Sequence, residues 1–193
     1  MLRIVGGAWR SRRFRFPAGV EIRPTPDRVR ETLFNWLAPV IDGARCLDLF
    51  AGSGALGLEA LSRGAAEVVF VESNRTAAAG IRAVLAEWQA GTGRVFAMDA
   101  LRYLSGAGPA GRAQAFDIVF LDPPFASGAL PQALHALAAG DWIAPGGWVY
   151  VEFAARSTPL ELPAGLTVLK EGRDGEVGYH LLRQSGESRA GQP

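Results

Sequence analysis

Four acidic residues stand at or near the end of an apolar run. Because such a run predicts a buried strand, each of these acids is expected at the carboxyl end of a strand. They are Asp48, Glu72, Asp99 and Asp122. The carboxyl ends of parallel strands meet at one edge of an open α/β sheet, and ligands bind there. Since a carboxylate can accept two hydrogen bonds at once, ligand binding is the chemistry predicted at this edge.

A glycine-rich turn lies between the first two of these acids. Gly52, Gly54 and Gly57 follow a short apolar run and precede a helix-like pattern. Glycines let the backbone approach a ligand closely, and the N–H groups of such a loop face that ligand. Alone, this G-x-G-x-x-G pattern is a weak indication of a dinucleotide site.

A second motif, Asp122-Pro123-Pro124-Phe125, follows the apolar run 118–121. The two prolines fix a turn. An aspartate carboxylate and a proline carbonyl can together accept both hydrogens of an exocyclic amine, and Phe125 can stack on the ring that carries it. A proline turn that merely ends a strand is the alternative. The motif is similar to the D-P-P-[FY] motif of methyltransferases that act on exocyclic amines.

The elements that must position these residues alternate between strand and helix patterns from residue 46 onward. This alternation predicts a parallel sheet with helices on both faces. Strands are predicted at 46–50, 67–71, 94–98, 116–121 and 147–153, and helices at 55–63, 74–88, 100–104 and 129–139.

Other signals set the flanking elements. Thr25 is predicted to cap a helix with Pro26 at its first position, and Ser73 to cap the helix that follows the second strand. After the fifth strand, segments 166–170 and 177–182 flank Gly172-Arg173-Asp174-Gly175 and predict a β-hairpin. The expected organisation is an N-terminal arm over 1–22, one α/β domain over 23–183 and a disordered tail over 184–193.

Composition limits the remaining possibilities. The chain has 193 residues, 49% of them hydrophobic, with a single cysteine and two histidines. It lacks an apolar run long enough for a membrane span, so a cytoplasmic protein is expected. Cys46 is expected to be a buried packing residue, and His135 and His180 to be structural. We expect no metal site and a monomer.

Charge is concentrated at the start of the chain. Residues 1–30 contain eight arginines and two acids, giving +6, whereas the remainder carries −5. This asymmetry suggests an arm that meets a polyanion, with a solvated hairpin face as the alternative. Arg10, Arg12, Arg13 and Arg28 are the candidate RNA-binding residues.

The arm itself is predicted to be a small hairpin with strands at 3–5 and 14–16. Aromatic residues alternate with its arginines, and arginines can pair with phosphates while aromatics stack on bases. For Phe14 and Phe16 we favour the alternative that they dock the arm on the domain.

A parallel sheet that closes with an antiparallel hairpin resembles the Rossmann-like class I fold of S-adenosylmethionine-dependent methyltransferases. The resemblance implies a mostly parallel seven-stranded sheet. The loop that carries Asp48, Phe50, Gly52 and Gly54 is similar to that family's cofactor motif. By this resemblance the loop lines the methionine end of the cofactor, and Asp48 orders its amino group directly or through water.

The same resemblance assigns the other acids. Glu72 would accept both ribose hydroxyls of S-adenosylmethionine, and Asp99 would accept from the adenine amino group, with Ala100 beside the ring. Helix capping is the alternative for Asp99. Asp122 would lie between cofactor and substrate, and with Pro123 and Phe125 would orient the substrate amine for in-line transfer and receive a proton late.

Two further segments, 2–10 and 23–37, resemble the RsmD family, which methylates the N2 amine of a guanine in small-subunit (16S) ribosomal RNA. The implied partner is ribosomal RNA or a particle of the assembling subunit. A DNA adenine-N6 methyltransferase is the first alternative, although no separate target-recognition domain is visible. A nicotinamide-binding protein is the second, and it leaves Asp122 to Phe125 unexplained.

Overall fold

The computed structural model describes residues 1–16, 25–107, 115–157 and 160–186. Its centre is a sheet of seven strands with helices against both faces. A separate two-stranded sheet lies at the N-terminus. The strands are β1 (Leu2–Arg3), β2 (Arg13–Phe14), β3 (Arg45–Leu49), β4 (Glu67–Val71), β5 (Gly93–Phe96), β6 (Phe116–Leu121), β7 (Ile143–Ala154), β8 (Leu166–Asp174) and β9 (Val177–Gln184).

The strand order of the large sheet is β5-β4-β3-β6-β7-β9-β8, and the first five of these strands are parallel. β9 is inserted antiparallel between β7 and β8, so the predicted hairpin is confirmed. Leu49 is in register with Val71 on one side and Leu121 on the other. The residues that follow these positions, Glu72 and Asp122, therefore flank the loop after β3.

Helices cover the two faces because each presents an apolar stripe to the sheet. One core cluster includes Leu33 and Phe34, and the other includes Tyr103 and Leu134. No helix in the described ranges is long and apolar enough to cross a bilayer. The helices are α1 (Asp27–Leu37), α2 (Ala55–Ser62), α3 (Arg75–Glu87), α4 (Ala100–Arg102, continued by a π-helical turn over Tyr103–Ala107) and α5 (Ala129–Ala139), with a 3₁₀ turn at Phe125–Ser127.

Both predicted serine or threonine caps are wrong. α1 begins at Asp27 with Pro26 at the N-cap position, and Thr25 turns its hydroxyl away from the helix. α3 is capped by Asn74, whose side-chain oxygen accepts from the N–H groups of Thr76 and Ala77. In both cases the helix begins one residue later than predicted, and a neighbouring acid, Glu152 or Glu72, lies within hydrogen-bonding distance of the hydroxyl predicted to cap.

The C-terminal boundaries also differ from the prediction. β8 continues through Asp174, so the hairpin turn lies at 175–176 instead of 172–175. β9 ends at Gln184, one residue beyond the predicted domain. Residues 187–193 of the predicted tail lie outside the described residues, as does the predicted boundary between arm and domain at 22 and 23.

The N-terminal arm is docked against α2 and α3. Its strands are shorter than predicted and pair Leu2 with Phe14. Phe14 is buried and meets the Trp88 ring edge-on, which confirms its predicted docking role. Trp9 also packs against Trp88, at 5.1 Å between ring centroids. Gly7 has a φ of 77°, and a side chain there would overlap the Ser62 carbonyl.

A fully buried carboxylate, Glu59 of α2, holds the arm in place. It accepts from the backbone N–H groups of Val5 and Gly6 at 2.8 and 2.7 Å. It also pairs with Arg63 at 2.8 Å and with Arg30 of α1 at 3.3 Å. Arg30 is itself fully buried. Asp27 forms ion pairs with both Arg3 and Arg30. Two of the eight early arginines thus pair with acids of this region.

Replacing Glu59 with alanine is expected to lower the free energy of unfolding by about 3–5 kcal/mol, because it removes a carboxylate from a buried guanidinium. Urea denaturation near neutral pH measures this loss. Glu67→Ala is the matched control, since Glu67 pairs with Arg45 and Arg94 near the surface. The control should cost no more than about 1 kcal/mol. Equal losses in the two variants would contradict the role given to Glu59.

Candidate functional site

A cavity of about 430 Å³ opens at the carboxyl edge of the sheet, as predicted from the four acids. All four contribute to its lining, and so do most of the other predicted site residues. Gly54 is absent from the lining. The predicted residues that line the cavity are Asp48, Phe50, Gly52, Glu72, Asp99, Ala100, Asp122, Pro123 and Phe125.

Asp48 lies at the floor of this cavity and is almost completely buried. Its Oδ2 accepts from the backbone N–H of Gly57 at 2.9 Å. Burial raises the pKa of Asp48 to about 7, and the nearby charge of Glu72 adds to this rise, whereas the Gly57 hydrogen bond opposes it. Asp48 is therefore a carboxyl group whose charge can change near neutral pH.

The glycine-rich loop brings the backbone over Asp48. Gly54, the residue at the N-cap of α2, has a φ of 76°, which L side chains rarely adopt. A side-chain carbon on Gly57 would lie 2.2 Å from the Phe70 ring, so glycine lets α2 pack closely on β4. Phe50 has a φ of 63°, and such strain is common where a loop shapes a site.

Glu72 ties the loop after β3 to the loop after β4. Its Oε2 accepts from the N–H of Gly52 and its Oε1 from the N–H of Asn74, both at 2.7 Å. A carboxylate has about four acceptor positions, so these two bonds leave capacity for a ligand's hydroxyl groups.

Asp99 caps a helix and also lines the cavity. Its side chain caps α4 by accepting from the N–H of Arg102 at 2.9 Å. It also lines the cavity, next to the buried Ala100. The capping alternative is therefore observed, and it leaves the carboxylate at the cavity wall.

Asp122 lies in a group of polar side chains that sequence reasoning did not assemble. The hydroxyl of Thr25 lies 3.4 Å from Oδ2 of Asp122 and 2.8 Å from Oε1 of Glu152. The phenol of Tyr150 donates to the same Oε1 at 2.9 Å. Burial, reinforced by the charge of Glu152, raises the pKa of Tyr150 well above its ordinary value. The phenol consequently stays protonated and donates.

The signal for Glu152 was present in the sequence. Like the four predicted acids, it follows an apolar run, Trp148–Val151, near the carboxyl end of a parallel strand. Thr25 carried no such signal, because its partners Asp122 and Glu152 lie 97 and 127 residues further along the chain.

A second cavity, of about 390 Å³, adjoins the first across the proline turn. The two share Pro123, Pro124, Phe125 and Glu152. Phe125 is 42% exposed, so its ring is available for stacking. The rest of the second cavity is mainly apolar; its lining includes Leu130, Phe153 and Leu160.

The predicted RNA-binding arginines lie away from the cavity floor. Arg10, Arg12 and Arg13 are exposed on the docked arm, and Arg12 lies over the Trp88 ring at 5.1 Å. Arg28 is exposed on α1 and forms an ion pair with Asp174 of the hairpin.

The other singled-out residues match their predicted structural roles in position. Cys46 is buried in β3, and burial raises the pKa of its thiol well above its ordinary value. His135 bonds to the Pro131 carbonyl within α5, and His180 lies on β9 with its ring edge against Phe153. Across the described ranges, no cluster of three or more His, Cys, Asp or Glu side chains could hold a metal ion.

Comparisons with known proteins give full-length matches. A family model described as conserved hypothetical protein 95 matches residues 2–183. A relative from Escherichia coli K12, named ribosomal RNA small subunit methyltransferase D, is 44% identical over 191 residues, which cover 98% of this chain and 94% of the relative. A relative of the same name from Haemophilus influenzae is 41% identical over 94% of this chain and 93% of its own.

A solved structure agrees with these matches. The protein described as putative methyltransferase yhhF from Escherichia coli is 41% identical and superposes with a TM-score of 0.87, over 96% of this chain and 99% of that one. The predicted class I methyltransferase fold is therefore confirmed.

Replacing Asp48 with asparagine is expected to change how stability depends on pH. The raised pKa means that folded Asp48 holds its proton more tightly than unfolded Asp48. Its contribution to stability is thus complete below about pH 4 and is lost as pH rises through about 7. The asparagine variant keeps an acceptor for Gly57 and should gain stability relative to wild type between about pH 4 and pH 8, by a few kcal/mol at most.

Urea denaturation at several pH values measures this difference. Asp141→Asn, a change at an exposed aspartate, corrects for the loss of one charge. A difference between the Asp48 variant and wild type that does not change with pH would contradict the raised pKa.

Proposed function

We propose, from the premise that this chain belongs to the ribosomal RNA small subunit methyltransferase D family, that it transfers a methyl group from S-adenosylmethionine to the N2 amine of a guanine in small-subunit (16S) ribosomal RNA. One observation carries the proposal. The Asp122-Pro123-Pro124-Phe125 turn borders the same cavity that contains Asp48, Glu72 and Asp99.

The chemistry of the cavity fits the cofactor. S-adenosylmethionine, when bound, supplies a methyl group already activated on a sulfonium. Asp48 would accept from its amino group, Glu72 from its ribose hydroxyls and Asp99 from its adenine amine, because carboxylates suit each of these donors. Phe50 and Ala100 provide apolar surface beside them, while Gly52 and Gly54 form the turn that lets the backbone approach.

Asp122 would hold the substrate amine in line with the methyl group. Its carboxylate and the Pro123 carbonyl accept the two amine hydrogens, which directs the nitrogen lone pair toward the methyl carbon. Asp122 would accept the surplus proton of the methylated amine. Phe125 stacks on the base that carries the amine.

The arm supports an RNA substrate. Arg10, Arg12 and Arg13 are exposed on a segment that Glu59 and Trp88 hold against the domain. Such a fixed basic surface can bind phosphates while the target base enters the site. We therefore assign residues 1–22 to substrate binding and 23–183 to the methyltransferase domain, with Arg28 on α1 of that domain.

The relatives' names also separate this proposal from its alternatives. They specify ribosomal RNA, whereas a DNA adenine methyltransferase would share only the Asp122–Phe125 motif and the cofactor loop. A nicotinamide-binding protein would use the loop without that motif.

Asp122→Ala is expected to reduce methyl transfer by at least about 1,000-fold, because positioning and proton acceptance are lost together. Its affinity for S-adenosylhomocysteine should change less than about threefold. Transfer of labelled methyl groups to small-subunit ribosomal RNA or its assembly particles, together with calorimetry, measures both quantities. Asp117→Ala serves as a control for loss of an aspartate on β6, the strand that Asp122 follows. Wild-type turnover in the Asp122 variant would exclude the role proposed for this residue.

Neutralising the arm arginines is expected to weaken RNA binding and flatten its dependence on salt. The slope of log affinity against log salt should fall by about 0.7–0.9 for each lost phosphate contact. An Arg10/Arg13→Ala double variant tests charge alone. Arg12→Ala is measured separately, since Arg12 also packs on Trp88.

The matched control removes Arg82 and Arg94, which are exposed on α3 and β5. Filter binding over a salt series gives the slopes, and S-adenosylhomocysteine affinity should stay constant throughout. If the slope of the arm variant equals that of wild type while its melting temperature is unchanged, the arm serves only for packing.

A further inference from the structure

The proposed function leaves one buried carboxylate of the site without a role. Glu152 is only 3% exposed, yet it lines both the cofactor cavity and the second cavity. Burying a carboxylate is costly unless hydrogen bonds compensate. Because Glu152 lines both cavities, a ligand in either one can meet its carboxylate.

Two hydroxyl groups fix the orientation of Glu152. Thr25 and Tyr150 both donate to Oε1, at 2.8 and 2.9 Å. Glu152 is thus held as an acceptor in a defined direction, which is what recognition of a specific donor requires.

Glu152 and Asp122 form a pair of neighbouring acceptors. The same Thr25 hydroxyl lies within hydrogen-bonding distance of both carboxylates. If Asp122 accepts from an exocyclic amine, Glu152 is placed to meet the ring atom next to that amine. The chemistry of that ring atom differs among the bases.

Guanine presents a ring N–H, at N1, beside its exocyclic amine. In adenine and cytosine, the one ring nitrogen beside the amine-bearing carbon is an acceptor, not an N–H donor. A carboxylate beside the amine site would bond to guanine N1–H and repel the lone pair of an adenine or cytosine nitrogen. Resting on the proposed function, we propose that Glu152 accepts from N1–H of the target guanine and determines the choice of guanine.

The second cavity offers space for the ring system. It adjoins Glu152 and Phe125, and Phe153 and Leu130 provide apolar surface. Enzymes that modify a base commonly take it out of its stack and hold it between aromatic or apolar side chains. A purine stacked on Phe125 would thus present its N1–N2 edge to Glu152 and Asp122.

The test uses RNA in which the guanine methylated by the wild-type enzyme is replaced by 2-aminopurine. This analogue keeps the amine at position 2, but its N1 is an acceptor. Wild type should prefer guanine over 2-aminopurine by roughly 10- to 150-fold in kcat/KM, the range for one hydrogen bond to a charged group. Glu152→Gln should reduce this preference at least tenfold, because its amide can donate to N1 of 2-aminopurine.

Glu171→Gln, the same change at an exposed position on β8, is the matched control and should keep the wild-type preference. Affinity for S-adenosylhomocysteine and the melting temperature verify that each variant is folded. Equal use of guanine and 2-aminopurine RNA by wild type would overturn the role of Glu152, even if the variant failed to fold. So would an unchanged preference in a folded Glu152 variant.

Failure of the proposed function gives a different result. If wild type transfers no methyl group to guanine RNA but methylates adenine in DNA, the guanine assignment falls and the role of Glu152 falls with it.

Discussion

The buried carboxylate of Glu59 is the interaction on which the arrangement of the N-terminal third depends. It joins α2, which begins at the glycine-rich loop, to Arg30 of α1 and to the backbone of the arm at Val5 and Gly6. Ion pairs of this kind cost desolvation energy, so much of the loss expected on removing Glu59 comes from leaving the buried Arg30 guanidinium without this partner. Glu59 consequently anchors both α2, which follows the glycine-rich loop, and the arm that carries the exposed arginines.

The cavity places several carboxylates close together, which opposes stability but suits its proposed ligands. Asp48 illustrates the conflict, since burial and the charge of Glu72 both raise its pKa. Backbone N–H groups of Gly52, Gly57 and Asn74 offset part of this cost. A ligand that carries amines and hydroxyls would supply the remaining donors. Local destabilisation of this kind is a common feature of binding sites.

Where the substrate is proposed to bind, the carboxylates accept hydrogen bonds from side-chain hydroxyl groups instead of backbone N–H groups. Thr25, at the start of α1, and Tyr150, on β7, converge on Glu152, while Asp122 reaches the group from β6. Three separate parts of the chain are needed, and a shift of any one would alter how the acceptors are spaced. The docked arm supports this arrangement indirectly, because Glu59 also fixes α1 through Arg30.

The sequence by itself determined the parallel sheet, its closing hairpin and the row of acids Asp48, Glu72, Asp99 and Asp122, because apolar runs, turns and strand ends are local patterns. It also placed Glu152 after an apolar run, although nothing local indicated its partners. Only the tertiary structure decided that Thr25 bonds to Glu152 instead of capping α1, and that Arg30 is buried against Glu59 instead of facing a polyanion. A hydroxyl or a guanidinium can bond to several kinds of partner, and the packing of the fold determines which acid lies close enough to accept.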